Sequence, residues 1–127
     1  MGLSKVIEIL FVFILSLLLL HEMDAIRTKE WKMFAVLKDM AEERASKAFI
    51  IAHLPLYFAA IFIMAKGWTT ANFWLYCIVD IFLIGHTILH FCFRKHKDNG
   101  FTSMFSKIIT YLPAILGIIH LALLLTL

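Results

Sequence analysis

Charge is what this sequence has least of. Asp, Glu, Lys and Arg make up 17% of its 127 residues, against roughly a quarter in ordinary soluble domains. Apolar residues make up 62%, and the mean hydropathy is +0.90. A soluble domain uses roughly 45–50% apolar residues, so that class is excluded and an integral membrane protein is expected. Cysteine is nearly absent as well, with Cys77 and Cys92 alone. On one continuous helix their Cα atoms would stand roughly 22 Å apart, too far for a disulfide. Repeats and low-complexity tracts are missing. So is an A-x-A-like cleavage site after the first apolar run, Val6 to Leu20. That run reads as a retained helix, not a secretory signal.

What is present is four apolar segments, at about 5–23, 46–65, 71–93 and 104–127. Each approaches the ~20 residues that cross a hydrocarbon core of ~30 Å. Lys66-Gly67-Trp68-Thr69-Thr70 marks a turn between the second and third, with glycine to end one helix and threonine to cap the next. Asp98-Asn99-Gly100 breaks the chain between the third and fourth. Residues 24–38 interleave Ile26, Met33, Phe34 and Leu37 with Arg27, Lys29, Lys32 and Lys38. This pattern predicts an interfacial amphipathic helix between helices 1 and 2, with Glu30-Trp31 as its anchor and Asp39 capping the helix that follows. The expected fold is all-α: one integral membrane four-helix bundle over residues 1–127.

Lys and Arg are distributed unequally. Arg27, Lys29, Lys32, Lys38, Arg44, Lys47, Arg94, Lys95, Lys97 and Lys107 fall on one side of the spans, and only Lys5 and Lys66 on the other. The positive-inside rule places loops 24–45 and 94–103 in the cytoplasm of a multi-pass inner (plasma) membrane protein, with both termini outside. The basic residues serve as topology signals and as contacts for membrane lipid; they call for no nucleic acid.

Ionisable groups within the spans are the functional candidates. On the third span Asp80, Tyr76, Leu83, Thr87 and His90 share a face, opposite Ile78, Ile81, Phe82, Ile88 and Leu89. On the fourth, Ser106, Thr110, Pro113, Gly117 and His120 form one stripe. His86 and His90 make an H-x-x-x-H pair, a turn apart on one helix, the spacing of helical zinc and iron sites. His21 and His53 reach a similar depth from two other spans. Neutral imidazoles with Glu22 or Asp24 give the mixed nitrogen and oxygen set that zinc or ferrous iron accepts. Four histidines as metal ligands, with Glu22 or Asp24 as ligand or general base, point to a metal-dependent membrane enzyme of lipid-like substrates, with hydrolysis favoured over oxidation. Asp80 and His120 lie deeper and at matching depth, and define a rival reading: a proton or metal-ion path, in a chain short enough to need a homodimer. The plainest reading is a structural or accessory subunit whose polar groups only lock helices together.

The stretch "HEMDAIRTKEW" closing the first span, with three more spans and the later buried histidines, resembles the HXXEE-like group of small uncharacterised bacterial four-span membrane proteins. Asp24-Ala25 stands where the literal motif has two glutamates. The resemblance implies the four-helix membrane architecture and no particular activity. Membrane fatty-acid hydroxylases and desaturases, built around several histidine boxes, are a second comparison. This chain lacks any H-x-x-H-H box, so a di-iron oxygenase of that kind is not expected.

Overall fold

The computed structural model describes residues 2–66 and 72–126, and the turn expected at Gly67–Thr70 lies outside them. Among the described residues all regular structure is helical: α1 (Leu3–Arg27), α2 (Glu42–Ala52), α3 (Leu54–Lys66), α4 (Phe73–Cys92) and α5 (Met104–Leu124). Four helical segments are long and apolar enough to cross a membrane, with α2 and α3 forming the second between them.

The faces follow from spacing. Ile7, Phe11, Ile14, Leu18, His21 and Ala25 succeed one another by four or three residues along α1, and all are buried. Ser106, Thr110, Pro113, Gly117, His120 and Leu124 do the same along α5. Such a stripe stays on one side of a helix. On α4 the Asp80 face is buried, while Ile78, Ile81, Phe82, Ile88 and Leu89 are exposed, as a lipid-facing side requires. Helix α5 packs along both α1 and α4. Small or polar residues in its stripe allow that approach.

The second span is the least enclosed. It joins the others through Ile63 and Ala60 near one end, and through Ala45 and Phe49, against Ala25, Trp31 and Phe101, at the other. Its helix is interrupted at His53. Pro55 has no N–H to give the carbonyl of Ile51, so the ladder of hydrogen bonds fails there.

Two expectations are corrected. Residues 24–38 do not form one amphipathic helix. α1 continues to Arg27, and the Thr28 hydroxyl donates to the Asp24 carbonyl at 2.8 Å. Lys29 then adopts a left-handed backbone, with φ 55°, and a 3-10 turn over Glu30–Met33 doubles back. A helix cannot pass through a left-handed residue, so Glu30 faces inward instead of lying on a continuation of α1. Nor does Asp39 cap α2, which starts at Glu42 after Ala41 with no side-chain cap. Glu42 instead pairs with Lys29. Glu42 and Glu43 in the first turn also favour the helix dipole.

The turn between α4 and α5 presses on this corner. A Cβ on Gly100 would stand 2.6 Å from Thr28 Cβ and 2.8 Å from the Thr28 carbonyl oxygen. Only glycine permits that approach. Phe101 follows it inward and is buried.

Candidate metal centre

The basic end of the bundle gathers its polar side chains from separate elements. His21 comes from the penultimate turn of α1, His86 and His90 from the last turns of α4, and Glu30 from the folded-back 3-10 turn. Each offers one ligand atom, and the four atoms lie within 4.8 Å of one another. A buried group of three imidazoles and one carboxylate could hold a metal ion. In a tetrahedral zinc site with bonds near 2.1 Å, donor atoms stand about 3.4 Å apart. Here His21 Nε2 lies 3.0 Å from His86 Nε2, and His90 Nε2 lies 3.2 Å from Glu30 Oε1. The cluster is already near the size of such a site.

Hydrogen bonds around the cluster fix which nitrogen is bare. The Thr110 hydroxyl donates to the Ser106 carbonyl at 2.7 Å. Its single proton is spent there, so its oxygen accepts from His21 Nδ1–H at 3.2 Å. His21 therefore turns an unprotonated Nε2 toward the cluster, as a metal-ligating histidine held by an outer partner does. Thr110 also accepts at its carbonyl from the Thr87 hydroxyl, 3.0 Å away, so one threonine ties α1, α4 and α5 together. His90 Nε2 is buried and makes no hydrogen bond among the described residues, despite its nearness to Glu30. The two atoms aim past one another. Phe101 lies over the cluster, stacked on His21 at 5.2 Å and edge-on to His90 at 4.7 Å.

The other candidates are placed as follows. His53 is held by a second acid: its Nε2 lies 2.7 Å from Glu22 Oε2, while its Nδ1–H donates to the Phe49 carbonyl at 2.6 Å. With Nδ1 protonated, a 2.7 Å contact at Nε2 needs one proton between imidazole and carboxylate. Glu22 and His53 thus form a proton-holding pair. They share a cavity of about 410 Å³ with Glu30 and His86. Asp24 is engaged elsewhere, 2.7 Å from the Arg27 guanidinium, which also donates to Ser106 Oγ. Asp80 and His120 pair with each other at 2.7 Å, both wholly buried, with Phe11 and Tyr76, themselves in edge contact, beside the His120 ring. None of the three cavities described here is lined by either.

Glu30 is the member of the cluster that the sequence reading did not place there. Its signal was hidden, because the reversal that delivers it uses a lysine in a conformation that glycine or asparagine usually takes. Thr110 stood on the buried stripe of α5, but its bond to His21 depends on a contact between helices.

No curated protein and no solved structure matches the chain. The model of a family of unknown function, DUF6713, matches residues 7–127, and the chain belongs to that family.

Proposed function

We propose that His21, Glu30, His86 and His90 hold one divalent metal ion, zinc or ferrous iron, in a membrane enzyme that hydrolyses a lipid-like substrate. The observation that carries this reading is the convergence of four ligand atoms within 4.8 Å, one of them an imidazole nitrogen with no hydrogen bond. Three imidazoles and a carboxylate suit either ion. A bound ion supplies Lewis acidity and lowers the pKa of a coordinated water.

The chain's own residues do the rest. Glu22 and His53 border the same cavity as Glu30 and His86 and exchange a proton across 2.7 Å. The pair takes a proton from the attacking water as its oxygen bonds to the carbonyl or phosphoryl centre. It returns that proton to the leaving oxygen as the ester bond breaks. Asp24, occupied by Arg27, is left out of this step. Phe101 and the apolar residues around the cluster keep bulk water from it. The ten Lys and Arg at this end support a cytoplasmic position for it in a plasma membrane, with both termini outside. A lipid then enters sideways from the bilayer.

Elemental analysis of the purified protein tests the reading. About one zinc or iron per chain is expected, and His86→Ala and Glu30→Ala should each lose it while keeping native helicity. A folded wild-type protein that holds no metal after growth in zinc- and iron-supplemented medium would overturn it.

A further inference from the structure

A second cavity, of about 290 Å³, lies on the other side of His90, lined by Arg94, Lys95, Asn99, Thr102 and Lys107 among others. No acidic residue lines it. Arg94, Lys95 and Lys107 have no carboxylate within ion-pair distance among the described residues, whereas Arg27, Lys29, Lys32 and Lys47 each have one. Lys38, Arg44 and Lys97 are also without an ion pair among the described residues, but only Arg94, Lys95 and Lys107 share a cavity. The first turn of α5 also borders it, through Lys107, and the positive end of that helix dipole favours an anion. A third cavity of about 380 Å³ opens on the opposite side; Met33, Phe34, Leu89 and Phe93 make it mainly apolar, with Glu30 and Lys38 also lining it. His90 lines both, so a cavity lined by three cations and a mainly apolar one meet at a residue of the candidate metal cluster.

We propose that these two cavities hold one anionic phospholipid, its phosphate-bearing headgroup against Arg94, Lys95 and Lys107 and an acyl chain along Phe34 and Leu89. This names the substrate class for the reading above and rests on that reading for any reaction; binding itself does not need the ion. His90 lies one turn, about 6 Å, before Arg94 along the helix. A phosphate beside Arg94 therefore puts the glycerol and its ester bonds next to the cluster. The geometry selects a molecule that is acidic at one end and apolar at the other.

The test is lipid retention by the full chain, read by native mass spectrometry after exchange into mixed phosphatidylglycerol and phosphatidylcholine nanodiscs. The wild type is expected to keep phosphatidylglycerol over phosphatidylcholine. Lys95→Gln/Lys107→Gln should cut that preference roughly tenfold or more, at about 1 kcal/mol per basic residue at a membrane surface. A control pair of cations outside the cavity and without an ion pair among the described residues, Arg44→Gln/Lys97→Gln, should keep it. Equal loss in both pairs, or no loss in the first, would mean diffuse surface charge and overturn the proposal. Displacement of the lipid by millimolar inorganic phosphate, with the same dependence on Lys95 and Lys107, would assign the cavity to free phosphate and overturn the lipid. The same measurement on His86→Ala separates the two readings. Preference kept without metal supports this site by itself, and preference absent from a metal-loaded wild type sinks this site alone.

Discussion

Two groups of buried polar side chains share helix α4, about two turns apart along it, and they are built differently. Asp80 and His120 are one acid and one base, fully enclosed, joined at 2.7 Å, with two aromatic rings packed beside the imidazole. The cluster at the basic end has three imidazoles for one carboxylate, and cavities on its flanks. In hydrocarbon, a polar group with no partner costs several kcal/mol, so a matched pair is a stable way to hold helices in register. Excess donors with access from outside leave coordination unfilled, and that is the condition for binding a ligand. Burial alone does not distinguish the two groups; the ratio of donors to acceptors and the presence of a cavity do.

The largest expected effect falls on the pair. Asp80→Ala strands His120 in the apolar centre and should lower the unfolding free energy by about 3–5 kcal/mol, because removal of one partner leaves the other unmet. Replacing both, in Asp80→Leu/His120→Leu, should restore stability to near wild type. Unfolding in mixed detergent micelles measures both. Metal content should be unchanged in the double variant, and its loss there would break the division between the two regions. The cluster should respond in the opposite way. His90→Ala removes a direct ligand and should weaken metal binding more than about 100-fold, above the 10–100-fold typical of outer partners, with a smaller loss of stability than Asp80→Ala. Competition with a calibrated chelator reads the affinity.

Intermediate effects belong to residues that position the cluster. Thr110→Val removes the acceptor for His21 Nδ1–H and frees the ring to change tautomer. Metal affinity should fall about 10–100-fold, measured in the same competition, while the buried methyls preserve the packing of α5. Gly100→Ala places a Cβ against Thr28 and should cost about 1–3 kcal/mol, read as a lower midpoint of thermal unfolding. If it also lowers metal affinity, the fold-back at Lys29 and the cover by Phe101 matter to the site as well as to the fold.

How much of this was legible depends on whether a feature is local. The four spans and their buried stripes follow from hydropathy and from three- and four-residue spacing, which any single helix displays. His86 and His90 were visible for the same reason, being one turn apart on one helix. The depth of His21 could be counted from the end of its span. Glu30 was not legible, since Lys29 takes a left-handed backbone with no glycine or asparagine to announce it. The partition of the acids was hidden too. Helical spacing sets Asp24 on the face of His21 and turns Glu22 about 100° away, but it does not say that Glu22 meets His53 or that Asp24 is taken by Arg27. The Glu22–His53 contact joins two spans and is not encoded by periodicity, whereas Asp24–Arg27 is a local pair three residues apart on α1.

The smallest effect sharpens the comparison most, because it sets two glutamates of the same end against each other. Glu22→Gln keeps a hydrogen-bonding group opposite His53 Nε2: the amide N–H donates where the shared proton was, and His53 Nδ1–H still reaches the Phe49 carbonyl. The pair becomes neutral on both sides, so no charge is stranded and stability should change by under about 1 kcal/mol. Metal content should not change, since Glu22 contributes no atom to the four-atom group. Glu30→Gln, equally conservative, removes an anionic ligand and should lose metal. If Glu22→Gln instead empties the site, the ligand set includes Glu22, and the Glu22–His53 pair is part of the metal centre and not a separate proton reservoir beside it. If it leaves metal and fold intact, the pair is free to carry a proton, and the isotope-edited NMR signal of His53 should change from an imidazole sharing a proton with a carboxylate to a neutral ring protonated at Nδ1 alone.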